Sequence, residues 1–148
     1  MKYLKTFETY QDKEFILKSW TQYYGDINKA QEHYNTFISE VEQKNQNGGN
    51  IYRCIFVNSI EEINKEEIGY HWTIEKYYIE DYIDRIKQYY GMNKKLSIVV
   101  EAYTEPNNII ICDDLAGNPE EKEINVLDFT KISILNYYLY NNYQLTKI

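Results

Sequence analysis

An arginine inside an apolar run is the first residue of this chain whose position asks for a chemical explanation. Arg53 lies within Ile51 to Val57, a strand by length and composition. Alternation puts Ile51, Arg53, Ile55 and Val57 on one face and Tyr52, Cys54 and Phe56 on the other. A guanidinium among aliphatic side chains is costly to bury unless it meets an anion. Its planar five-donor fork suits a phosphate or a carboxylate. Further along, Gly69-Tyr70-His71-Trp72-Thr73 sets an imidazole, an indole and a hydroxyl just after a glycine. Later still, Pro119-Glu120-Glu121-Lys122-Glu123 enters a second apolar run, so carboxylates open a strand. The chain therefore carries an anion-binding fork, an aromatic and hydroxyl segment, and a strand-opening glutamate, in that order.

Each piece also has an ordinary reading. Arg53 pairs with a structural carboxylate or projects at a sheet edge. His71 and Trp72 pack at a strand end, and Glu121 and Glu123 belong to a solvated acidic turn. Their order along the chain sets the chemical reading above these alternatives.

The ordered set resembles the three-part signature of ADP-ribosyltransferases of the arginine–serine–glutamate type. It looks most like a small bacterial and phage branch whose middle segment reads glycine-x-histidine-tryptophan-threonine. The resemblance covers roughly Asn50 to Leu127. It implies NAD as substrate, with no metal. Arg53 would hold the NAD phosphates, and His71, Trp72 and Thr73 would shape the nicotinamide-ribose pocket. Glu123 would be the catalytic glutamate, binding the ribose and stabilising the positive charge that develops as nicotinamide leaves. Glu121, two positions earlier, falls where the family places the residue that orients an acceptor; glutamate there goes with transfer to arginine. The middle segment departs from the family in lacking a serine-threonine-serine run, so that only Thr73 supplies a hydroxyl. The chemistry suits these residue types. Cleaving the ribose–nicotinamide bond creates an oxocarbenium-like centre, as in glycoside cleavage, and one preorganised electrostatic group is worth about 3 kcal/mol in a dry site.

Positioning these residues requires a sheet. Before Asn50 the pattern is helical. Lys2 to Tyr24 carries Tyr3, Phe7, Tyr10, Phe15, Ile16 and Trp20 and is closed by Gly25. Asp26 caps a second helix to about Lys44, with Ile27, Ala30, Tyr34, Phe37, Ile38 and Val41 on its apolar face. His33 reads as a surface residue. The polar stretch 43–50 reads as a loop. After it, strands are expected over Ile51–Val57, Gly69–Thr73, Leu96–Tyr103, Ile109–Cys112, Glu123–Leu127 and Lys131–Tyr140. A helix capped by Thr73 interrupts them and runs to Tyr90. The fold class is α+β, N-terminal helices (1–45) ahead of a mixed or antiparallel β core (50–148) of ADP-ribosyltransferase type, within a single domain over 1–148.

Composition narrows the partners. A net charge of −7 argues against a general nucleic-acid binder. No apolar run approaches membrane-spanning length, and the N-terminus lacks a signal-peptide core, so a cytoplasmic place in a bacterium or phage-infected cell is expected. Cys54 and Cys112 sit in apolar runs and read as buried free thiols; no metal-spaced Cys/His set is present. The 17 tyrosines, amphipathic rings, are expected at the core boundary or along a cleft. Two functions follow as expectations. One is NAD-dependent transfer of ADP-ribose to an unknown protein acceptor, or NAD hydrolysis. The other is a non-catalytic acidic interaction or inhibitor protein that engages a basic partner.

Overall fold

Two helices form an antiparallel hairpin on one side of the chain. The computed structural model describes residues 2–76, 79, 82–84, 87, 95–111, 119 and 122–148, with side chains from residue 13 onward. Helix α1 (Lys2–Tyr24) ends at Gly25, whose φ of 68° is open to glycine at little cost and whose N–H bonds the Thr21 carbonyl at 2.8 Å. Asp26 then caps α2 (Ile27–Asn47) by accepting from the Asn28 N–H at 2.9 Å. Ala30, Tyr34, Phe37 and Val41 recur at helical spacing and bury against Ile16 and Trp20. Phe15 and Ile27 lie outside this stripe and are exposed, contrary to expectation. His33 is half-buried rather than on the surface. Its ring stands edge-on to Trp20 at 5.2 Å, and Nε2 lies 3.1 Å from the Pro119 carbonyl.

The expected loop over 43–50 is shorter than its composition suggests. Helix α2 continues to Asn47, and strand β1 (Gly49–Val57) begins after a single residue, Gly48. Gly48 has φ 73°, and its N–H closes on the Lys44 carbonyl at 2.8 Å. A Cβ there would fall 2.7 Å from the Thr104 carbonyl oxygen and still closer to the Tyr103 hydroxyl. Only glycine fits the turn.

The rest is a seven-stranded antiparallel sheet ordered β4-β5-β2-β1-β3-β6-β7. Its further strands are β2 (His71–Thr73), β3 (Leu96–Thr104), β4 (Ile109–Ile111), β5 (Glu123–Val126), β6 (Ile132–Asn141) and β7 (Gln144–Lys147). The chain is α+β, with a wholly antiparallel sheet. One sheet face, carrying Ile51, Trp72, Ile98, Val100, Ile124 and Val126, packs on the helical hairpin. The opposite face carries Tyr52, Cys54, Val99 and Tyr140 and packs on Ile79 and Ile83, which are helical in backbone. The sheet is thus a middle layer, which is why β3 is buried at almost every position. Strand β7 was not foreseen; the acidic stretch 58–67, which reads as a solvated loop or short helix, forms short 3-10 turns at Ile60–Glu62 and Lys65–Glu67.

Beyond the apolar packing, a buried amide side chain helps dock the hairpin to the sheet. Asn45 donates from Nδ2 to the Ile109 carbonyl (2.9 Å) and accepts from the Ile109 N–H (3.1 Å), while its own carbonyl accepts from the Asn107 N–H (2.8 Å). An amide on each side satisfies the other, so the β4 edge is closed by α2. No described helix is long and apolar enough to cross a membrane.

Candidate functional site

The fold brings Arg53, Thr73 and Glu123 onto three adjacent strands, β1, β2 and β5. Tyr52, the neighbour of Arg53, stands opposite Thr73, and Thr73 stands opposite Glu123. Strand β2 pairs with β1 at this one position only. Beyond it the two strands part, and a cavity of about 390 Å³ opens beside the free edge of β1. Arg53, Glu62, Asn64, Glu67, Tyr82 and Lys95 are among its lining residues.

Arg53 spans the parting. Nη1 donates to the backbone carbonyl of His71, and Nε is buried with no hydrogen-bond partner. Burial pulls the guanidinium below its ordinary pKa, while Tyr82, Cys54 and Glu123 favour its charged form. Arginine stays protonated under such a shift, so a fixed positive charge stands at the cavity, suited to an anion. Lys95 adds a second cation to the lining, and Glu62 and Glu67 add two carboxylates.

The glycine-tyrosine-histidine-tryptophan-threonine segment has local structural work at each of its key positions. Gly69 takes φ 88° beside the Arg53 guanidinium, and its carbonyl accepts from Trp72 Nε1 at 2.9 Å. Trp72 is 2 % exposed and faces the helical hairpin, on the opposite side of the sheet from His71 and Thr73. It is a core residue of the site's floor rather than a wall of the cavity. The His71 side chain is exposed, and its carbonyl holds Arg53. Thr73 is buried; Oγ1 accepts from the Glu75 N–H at 3.0 Å and donates to the Lys122 carbonyl at 3.4 Å. Thr73 thereby caps a turn after β2; residues 74–76 form a turn rather than the start of the expected helix, most of which lies outside the described residues. Glu123 opens β5 and is half-buried. Glu121 lies outside the described residues, as does Cys112.

Sequence reading passed over several residues that the register gathers here. Asn136, Glu101, Tyr52, Thr73 and Glu123 face one another across β6, β3, β1, β2 and β5, forming a polar row on one face of the sheet. Glu101, 9 % exposed, accepts from Asn136 Nδ2 at 2.8 Å and from the Tyr138 hydroxyl at 3.3 Å. Burial and the Glu101 carboxylate push the Tyr52 phenol up. The signal for this row was the alternation in β1 and β3, which puts Tyr52 and Glu101 on the face away from Ile51 and Val100. Among the described residues no group of three His, Cys, Asp or Glu side chains is placed to hold a metal ion.

No family model matches this chain, and no characterised protein or solved structure is significantly similar to it.

Proposed function

We propose that this chain is an NAD-dependent ADP-ribosyltransferase with a sheet of the ADP-ribosyltransferase type, acting on a protein side chain or, with water as acceptor, as an NAD glycohydrolase. The observation that carries the reading is the adjacency of β1, β2 and β5. It brings the strands that carry Arg53, Thr73 and Glu123 side by side, although the three are spread over seventy residues of chain; Thr73 and Glu123 share the Tyr52 face, and Arg53 belongs to the other face, its fork reaching the parting of β1 and β2. The site fits the substrate's chemistry. Arg53 lines a cavity with room for a diphosphate, together with Lys95, Glu62 and Glu67. In this reading Arg53 binds the phosphates bidentately. Glu123 sits where a positive charge on the ribose would be stabilised. Thr73 fixes the end of β2, and the exposed His71 ring borders the site. Trp72 contributes by packing beneath it. Glu121 would address an arginine acceptor, and the reaction would take place in bacterial cytoplasm.

Incubation with labelled NAD and a bacterial lysate tests the reading, wild type beside Glu123→Gln. Label on a protein with wild type alone supports transfer; nicotinamide release without label supports hydrolysis. Inactivity of well-folded wild type in both assays removes the enzyme reading.

A second reading has its own observation. Glu61, Glu62, Glu66 and Glu67 are all exposed on the two short turns before β2, an acidic surface suited to a basic protein partner. It requires a stoichiometric partner and no response to NAD.

A further inference from the structure

The residue before Glu123 is held in an unusual way. Lys122 has φ 46°, the left-handed region that a non-glycine residue enters only at a backbone cost. Its side chain is only 15 % exposed. A buried ammonium requires close anionic partners. Nζ meets both carboxylate oxygens of Glu40, on α2, at 3.1 Å each, and Glu75 at 3.7 Å. Its carbonyl is engaged on the other side, accepting from the Ile74 N–H and from Thr73 Oγ1, both at 3.4 Å. Backbone and side chain of one residue are thus fixed by three elements: α2, the turn after β2, and β2 itself.

We infer that Lys122 is a positioning residue, a latch that ties the helical hairpin to the start of β5 and sets the direction in which Glu123 leaves the backbone. The inference rests on the reading of Glu123 as the catalytic carboxylate. With the latch closed, the left-handed turn at Lys122 is compensated by ion pairs, and Glu123 enters the β2–β5 ladder opposite Thr73. With the charge at 122 removed, the ion pairs no longer offset the backbone cost, the two 3.4 Å bonds to its carbonyl hold it alone, and the turn relaxes toward an ordinary φ. Such a rotation moves the Glu123 carboxylate relative to Arg53. A displacement of about 1 Å at a reacting group costs up to a hundredfold in rate. The latch also gives the N-terminal helices a part in the site that they do not touch directly.

The test uses Lys122→Met, Lys122→Arg and Glu40→Gln in the full chain. Nicotinamide release should fall roughly tenfold to a hundredfold in kcat for Lys122→Met and Glu40→Gln, with the Kd for NAD unchanged, and Lys122→Arg should restore it. The double variant should lose no more than Lys122→Met alone, because both changes open the same contact. Hydrogen exchange at the Ile74 amide, which bonds the Lys122 carbonyl, reads the latch without NAD. It should quicken at least tenfold in Lys122→Met and Glu40→Gln while the urea midpoint of the whole protein changes little. If wild type proves inert toward NAD and the Ile74 amide still responds, the latch stands and the enzymatic reading falls. An unaltered Ile74 amide in both variants overturns the latch. So does a rate that falls only in proportion to global stability and is not restored by arginine.

Discussion

Arg53 of β1 is bonded to the backbone of His71 on β2, through Nη1 and the His71 carbonyl, and its Nε is left buried and unpaired. Part of the fork braces the parting of the two strands, and part faces the cavity. Lysine, a point charge on a flexible stem, reproduces neither arrangement together. A ligand present at a hundred times its Kd adds about 2.7 kcal/mol of stability. In the transferase reading NAD therefore raises the denaturation midpoint of wild type and leaves Arg53→Ala and Arg53→Lys unmoved. An Arg53→Lys protein that responds like wild type would show that phosphate recognition lies elsewhere.

Gly69 should not tolerate a side chain. Its φ of 88° penalises any L-residue, while an added Cβ would meet the Arg53 guanidinium only at ordinary contact distance, 3.6 Å. The penalty is therefore one of backbone strain, about 1–2 kcal/mol for Gly69→Ala. Urea unfolding measures it, and the same loss should persist in an Arg53→Ala background.

Trp72 and His71 are neighbours in sequence with opposite expected behaviour. Trp72→Phe keeps most of the buried ring but strands the Gly69 carbonyl, at about 1–3 kcal/mol. His71→Ala removes an exposed side chain and should leave stability within about 0.5 kcal/mol. In the transferase reading it lowers NAD affinity. Paired measurements of stability and NAD binding separate the two; equal stability losses would contradict the placement of these rings.

Much of the fold was legible because it is written locally. Gly25 and Asp26 mark the break between helices, and the apolar periods of Ile51–Val57 and Leu96–Thr104 announce the central strands. Strand β7 was not legible because its hairpin turn runs through Asn142 and Tyr143, both at positive φ, 49° and 63°. Asparagine accepts that conformation; tyrosine there carries no turn signal. The three-part candidate site was visible as an order of residues. The polar row through Tyr52 and Glu101 was not, since cross-strand neighbours are fixed by register between segments far apart in the chain. Whether Trp72 packs in the core or borders the cavity was not legible, because alternation within a three-residue strand gives too few positions to choose its face; it is buried in the core.

Cys54 supplies a pH test. Burial pushes its thiol from an ordinary value of 9.0 up to about 12. Between those values the unfolded chain loses this proton while the native protein keeps it. The unfolded state then binds fewer protons, so stability falls as pH rises through the window and is unaffected below it. Well above 9 the slope approaches about 1.4 kcal/mol per pH unit. Comparing urea midpoints of wild type and Cys54→Ala at pH ~8 and ~10.5 isolates the effect, and the alanine variant should lose less on going up. Alkylation of Cys54 in the native protein should be slow for the same reason.

Gly48 alone joins α2 to β1. A longer linker would act as slack, absorbing any tilt of the hairpin before it reached the sheet. Here helix and strand form a crank with a one-residue elbow, and Arg53 sits a few residues along its shorter arm. The orientation of the hairpin and that of β1 are therefore set together, with no slack between them.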